Sequence, residues 1–129
     1  MQACTVMIST KTDGTGNEIV REGQIELLPR KANVVYREDN AVVRVSLCGD
    51  KATVVREGDY RLSLFLEDGK TTKGEIGIGD NVGEILTQTH KIESRITETY
   101  VAACLQYDLL ISAERQQMEL RLLAKIRDR

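Results

Sequence analysis

The stretch from Val43 to Gly69, VRVSLCGDKATVVREGDYRLSLFLEDG, decides the fold. Val43, Val45 and Leu47 alternate with Arg44 and Ser46, and Cys48-Gly49-Asp50 then interrupts the pattern. Ala52 and Val54 share the next face, Glu57-Gly58-Asp59 interrupts again, and Leu62, Leu64 and Leu66 line a third run. Tyr60 has the parity of those leucines, while Phe65 falls on the opposite, exposed side. A period of two puts alternate side chains on opposite faces of an extended chain, so this stretch reads as three half-buried strands joined by tight turns. Asp68-Gly69 at its end predicts a type I′ hairpin.

The same rhythm continues in both directions. Toward the start, Cys4, Val6 and Ile8 alternate with polar neighbours, Ile19, Ile25 and Leu27 share a parity, and Val34 and Tyr36 follow. Toward the end, Gly74-Glu75-Ile76-Gly77-Ile78-Gly79 reads as a barrel corner, because glycine in a strand marks a bend, a bulge or a close backbone approach. A phosphate-cradling loop would need a Gly-x-Gly-x-x-Gly unit between strand and helix or a Gly-Lys-Ser/Thr ending, and neither is present. Thr87, Thr89 and His90 lie in the next run, and Tyr100 to Ile111 is the longest strand expected, with Val101, Ala103, Leu105, Tyr107, Leu109 and Ile111 on one face. Residues 113–127 pull two ways. They are rich in strong helix formers, and Met118, Leu122 and Ile126 fit a helical stripe, yet Met118, Leu120, Leu122, Ala124 and Ile126 fit a strand over more positions. A closing strand removes a sheet edge and is the expectation, with a surface helix as its alternative. The fold expected is all-β: one domain over residues 1–129, a single antiparallel meander closed into a lipocalin-like barrel of about eight to ten strands.

With Gly74, Gly79 and Tyr107-Asp108-Leu109 in place, the chain resembles the YwiB-like family of small bacterial proteins of unknown function, over about Thr5 to Ile126. Thr71 and Gly74 match the Thr-Pro-Tyr-Gly that leads into the seventh strand of that family, Thr72 and Lys73 standing where Pro-Tyr is usual. Tyr107 and Leu109 match its Tyr-x-Leu, and Met118 through Ile126 its final apolar alternation. The resemblance implies a lipocalin-like (calycin) barrel with a strand at its end, and it carries no catalytic or binding residues across.

Composition narrows the function classes. Eighteen basic and 20 acidic residues leave a net charge of -2 over 129 residues, without the basic footprint that nucleic acid or an anionic membrane selects for. Met1-Gln2-Ala3-Cys4-Thr5 has no basic, apolar leader pattern. Three cysteines, Cys4, Cys48 and Cys104, are odd in number and lack Cys-x-x-Cys spacing, so neither a disulfide framework nor a thiolate zinc site is expected, and a cytoplasmic protein with reduced thiols is.

No cofactor and no catalytic constellation are expected either. His90 is the sole histidine, too few for a metal site, and it reads as solvated or structurally hydrogen-bonded. Cys104 lacks any sequence feature that would lower its thiol pKa. Arg21 breaks the pattern usefully. In an unbroken strand it shares the inward parity of Ile19, Ile25 and Leu27, where it would anchor a ligand carboxylate or phosphate, but a bulge at Gly23 would flip it into water, and the bulge is the expectation. Tyr36, Tyr60 and Tyr107 are inward by parity and complete a candidate lumen site with Arg21. The Arg-x-Tyr of fatty-acid-binding barrels has only Arg121-Leu122-Leu123 as its nearest counterpart, and four tyrosines, one phenylalanine and no tryptophan make a poor ring-lined pocket. Two functional classes follow. The first is a non-enzymatic cytoplasmic barrel that binds a small apolar or amphipathic molecule through Arg21, Tyr36, Tyr60 and Tyr107. The second is a barrel packed solid, whose outer face, around Phe65 and the exposed apolar positions of the last strands, meets a partner protein or a second copy. An interior space above about 300 Å³ marks the first, and a filled interior the second.

Overall fold

The computed structural model describes residues 1–127. Its ten strands are β1 (Gln2–Thr12), β2 (Thr15–Leu28), β3 (Lys31–Glu38), β4 (Ala41–Cys48), β5 (Lys51–Glu57), β6 (Arg61–Glu67), β7 (Thr71–Ile78), β8 (Asn81–Ile96), β9 (Tyr100–Ile111) and β10 (Glu114–Ile126). Each pairs antiparallel with the next, and β10 returns to β1 to close the barrel. Among the described residues no helix is long and apolar enough to cross a membrane.

The closing strand overrides local propensity. Leu120 lies between Thr10 of β1 and Leu105 of β9, and Leu122 between Ile8 and Ala103, so β10 satisfies two ladders at once. A surface helix would leave both neighbouring strands with unpaired backbone groups, a cost that the weak helix preferences of this stretch do not offset. Leu120, Leu122 and Ala124 face inward at 7%, 3% and 0% exposure.

Three sequence expectations change in detail. The type I′ pattern requires left-handed backbone at both central residues. Asp68-Gly69 has it only at Gly69 (φ 76), and the Lys70 amide donates to the Glu67 carbonyl at 3.0 Å, as in a type II turn. The paired left-handed residues are instead Asp13-Gly14 (φ 49 and 85) and Ser112-Ala113 (φ 48 and 69). The corner at β7 is a close approach: a Cβ on Gly74 would lie 2.3 Å from the Ser63 carbonyl oxygen, and the β6–β7 ladder extends only from Arg61↔Gly77 to Ser63↔Glu75. The longest strand is β8, not β9. It passes through a bulge at His90, between Thr89↔Tyr107 and Lys91↔Gln106, which moves the inward parity from Ile85, Thr87 and Thr89 to Ile92 and hides the strand's second half from an alternation count.

The inward side chains fill the barrel. Val6, Ile25, Ala32, Val34, Leu47, Ile85, Val101, Leu105 and Ala124, drawn from seven strands, all have 0% exposure, so no water-sized space adjoins them. This is the interior of a close-packed core, built mainly from valine, leucine and isoleucine.

Candidate functional site

The residues singled out for the lumen are only partly brought together. The β1–β2 ladder is unbroken from Gln2↔Ile25 to Thr12↔Thr15, so the bulge expected at Gly23 is absent. Glycine stands there for a different reason: a Cβ would lie 2.4 Å from the Val35 carbonyl oxygen, where β3 crosses closely. Arg21 therefore keeps the inward parity of its ladder partner Val6. It is half-buried, and its Nη1 donates to the Val20 carbonyl at 3.0 Å.

Tyr36 is buried at 4% exposure. Burial pushes its phenol above the ordinary range, with Glu38 and Tyr107 adding to the effect and Arg21 opposing it. Tyr107, at 3% exposure, is pushed up to about 12 by burial. Tyr36 thus lies within electrostatic reach of Tyr107 on one side and of Arg21 on the other. Tyr60 does not join them. It lies in the β5–β6 connection, outside the strands, with the Arg56 guanidinium 3.9 Å from its ring centroid. Arg56 also donates to the Tyr60 carbonyl at 3.1 Å and pairs with Asp59 at 2.9 Å, so this tyrosine braces a turn.

The main hollow is on the outside. A trough of about 560 Å³ crosses β2, β1, β10, β9 and β8. Its floor is the backbone of one transverse row of ladder partners, Ile19, Ile8, Leu122, Ala103 and Ser94, whose side chains point away from it. One wall is Val20, Met7, Leu123, Ala102 and Arg95; the other is Glu18, Ser9, Arg121, Cys104 and Glu93. The walls stand two residues apart along the strands, about 7 Å, and four inter-strand steps make the trough about 19 Å long. Its first wall is apolar except at one end, with Met7 46% and Val20 60% exposed. In the second wall Glu119, from the next row, anchors Arg121, whose Nη2 lies 3.2 Å away, and also accepts from Gln106 at 3.3 Å. Burial raises the Cys104 thiol pKa, Arg121 lowers it and Glu119 raises it again; the net rise leaves the thiol unactivated.

A second outer hollow of about 270 Å³ includes His90, Asp108 and Gln117. Asp108 has outward parity yet is only 5% exposed, because the bulge sets His90 over it. His90 Nε2 lies 3.1 Å from Asp108 Oδ2, and Arg115 Nη1 donates to the same oxygen at 2.6 Å and to Gln88 Oε1 at 2.9 Å. Burial works to raise the Asp108 pKa, but the hydrogen bonds and charges of Arg115 and His90 outweigh it, and the carboxyl titrates below its ordinary value. His90 is thus the structurally bonded imidazole the sequence indicates. Among the described residues no nucleophile is hydrogen-bonded to it, so the cluster pins β10 to the bulge in β8.

Sequence reasoning missed both outer features. The trough had a readable signal, since Met7, Val20 and Leu123 are apolar residues on the outward parity of their strands. Arg115 had none, because nothing local ties it to Asp108 across the hairpin.

A family model described as a domain of unknown function (DUF1934) matches residues 3–122. The crystal structure of the ywiB protein from Bacillus subtilis is similar with a TM-score of 0.84, covering 98% of this chain and 93% of that one at 16% sequence identity, a likeness of fold alone. No curated protein matches.

Proposed function

The chain belongs to the DUF1934 family, and from that premise we propose that it is a non-enzymatic interaction module, a solid barrel that works through the outer face of its long strands. The observation that carries this reading is the contrast between a lumen lined by buried residues, many of them at 0% exposure, and an outer wall with a trough of about 560 Å³. Ligand sites of drug-like size occupy roughly 300–1,000 Å³ and are concave, and here the concavity of that size is outside. A small amphipathic molecule in the lumen would find Arg21, Tyr36 and Tyr107 as polar anchors but no space beside Val6 or Val34 for its apolar part. The lipocalin-like character implied by the family resemblance then describes the wall of the barrel and not a cargo space. A cytoplasmic location is part of the same reading, in keeping with its three free cysteines.

Native mass spectrometry of the protein purified from its host tests the proposal. The expected result is a protein–protein complex that carries no small-molecule adduct and is lost in the trough variant Leu123→Arg. A small-molecule adduct retained by Leu123→Arg and lost on Arg21→Ala overturns it, because that pattern places a ligand in the lumen.

A further inference from the structure

One strand outruns its neighbour. β2 has 14 residues against the 8 of β3, and their ladder extends only from Gly23↔Tyr36 to Leu28↔Lys31, so Thr15 to Arg21 are laddered to β1 on one side alone. The two-residue turn at Asp13-Gly14 makes Thr12↔Thr15 a hydrogen-bonded pair, and such pairs alternate along an antiparallel ladder. Thr15, Asn17, Ile19 and Arg21 therefore bond to β1, while Gly16, Glu18 and Val20 turn their N–H and C=O groups to the open side. Among the described residues these groups have one partner, Arg21 Nη1 on the Val20 carbonyl. Thr15 to Glu18 are exposed on both faces, so another strand can reach this edge.

The other overhang, β8 beyond Gln88, begins under cover. Thr89 donates to the Lys70 carbonyl at 2.9 Å and accepts from the Gly69 amide at 3.1 Å, and the Ile92 amide donates to Asp68 Oδ2 at 3.4 Å. The edge of β2 has no such cover, and it continues the outer face, since Val20 and Glu18 end the two walls of the trough.

Its side chains say what fits. Glu18, on the outward parity, is exposed and among the described residues has no ion-pair partner; Lys11 and Arg121 both pair with Glu119, and Arg127 with Glu22. On the inward parity Ile19 is only half-buried, because no residue of β3 flanks it. A strand with basic residues on one parity and apolar ones on the other answers both, its bases beside Glu18 and its apolar side chains beside Ile19. A second copy of β2 does not. Antiparallel pairing that uses all three edge residues of each chain sets Gly16 against Val20 and Glu18 against Glu18, and like charges directly opposed destabilise a pair.

We propose that the overhanging edge of β2, from Gly16 to Val20, accepts as an added strand an extended segment of a partner protein whose residues are alternately basic and apolar. The inference rests on the reading of the barrel as an interaction module and names the kind of partner. Main-chain hydrogen bonds supply the affinity, and the alternating side chains select the segment.

Amide hydrogen exchange of the full chain, followed by NMR, is the test. The probe is a capped heptapeptide alternating lysine and valine at about 1 mM, with its glutamate-valine counterpart as control. The lysine-valine peptide is expected to slow exchange at Gly16, Glu18 and Val20 by about tenfold or more, and the control to leave it unchanged. Glu18→Lys should reverse that preference, and Val20→Pro, which removes an edge donor without touching the β1 ladder, should abolish protection at Gly16 and Glu18. Both positions are exposed on an edge, so both variants keep the barrel, and unchanged exchange of the core amides checks this. No protection by the lysine-valine peptide, equal protection by both peptides, a preference that Glu18→Lys leaves as it was, or protection retained in Val20→Pro overturns the proposal. Slowing that grows with protein concentration in the absence of peptide also overturns it, because the edge then belongs to a second copy. A complex lost on Leu123→Arg that leaves these amides unprotected overturns it while leaving the module reading in place; a lumen adduct removes that reading itself.

Discussion

Two halves of the barrel wall are built differently. β3 to β6 are seven or eight residues long, bury one face and show water a polar one. Ser46 donates to Asn33 at 2.8 Å, Asn33 to Glu26 at 2.9 Å, and Arg44 pairs with Glu57 at 3.3 Å; the exceptions are Phe65, 51% exposed, and the half-buried Val35, Val42 and Val55. β8, β9, β10, β1 and β2 run from 11 to 16 residues and carry the bulge, the buried outer Asp108 and the apolar-walled trough. Strand twist accumulates with length and a bulge sharpens it, so long strands coil and their outer wall becomes hollow where short ones stay flat. Length is thus what separates a wall that merely encloses a core from one that presents a surface.

The sharpest way to break this contrast is on the inside, where the two halves should not differ. Val45→Asp in the short half and Leu105→Asp in the long half, at 1% and 0% exposure, should each destabilise by roughly 3–5 kcal/mol, as an unpaired buried charge does. Urea melts would show it. A mild effect at Leu105 alone would mean that the long half is not filled.

On the outside the halves should part. Asp108→Ala removes a buried acceptor from Arg115 and should cost about 1.5–3 kcal/mol, while Asn33→Ala in the short half should cost about 0.5–1.5 kcal/mol. The pH dependence follows from the depressed pKa of Asp108. Its contribution is full above the unfolded value of about 3.9 and is lost as pH falls through the lower folded value. Stability difference curves for wild type against Asp108→Asn should therefore be flat from neutrality down to about pH 4 and converge below it; a gap that closes near pH 6 would assign the effect to another group.

A smaller change should go the other way. Thr87 and Thr89 face the core from β8 with hydroxyls that have no hydrogen-bond partner. Thr87→Val keeps the shape and removes the orphaned group, so it should stabilise by about 1 kcal/mol. No gain, measured by the same melts, would mean that the hydroxyl finds a partner in solution. The smallest effect belongs to the short half: a double-mutant cycle on Arg44 and Glu57, 53% and 58% exposed, should give a coupling below about 0.5 kcal/mol.

The same contrast explains what could be read from residues alone. β4, β5 and β6 are legible because a strict period of two runs between glycine-containing turns. The closing strand was legible only through the alternation from Met118 to Ile126, since its propensities point to helix. The second half of β8 was not, because one extra residue at His90 reverses the parity without leaving a local mark. The bulge expected at Gly23 is absent because a glycine that admits a close-passing backbone and a glycine that forms a bulge look the same in sequence, and only the Val35 carbonyl distinguishes them. The trough was written in Met7, Val20 and Leu123, but three strands from the two ends of the chain must be aligned before those residues become one wall.

That alignment has an order in time. Cys4 pairs with Ile126, and the Arg127 amide donates to the Ala3 carbonyl at 3.1 Å, so β1 waits for β10, made more than 100 residues later, to complete its ladder. Until β10 emerges, β1 and β9 both present bare edges, and the nascent chain is an open, curling ribbon that could capture a neighbour's strand. Hairpin by hairpin growth from β2 to β9 is local, whereas ring closure joins the most distant parts of the chain and carries the largest loop-closure cost. A ribosome that stalls before Glu114 therefore holds a sheet that cannot close, because both ladders of β10 are still missing.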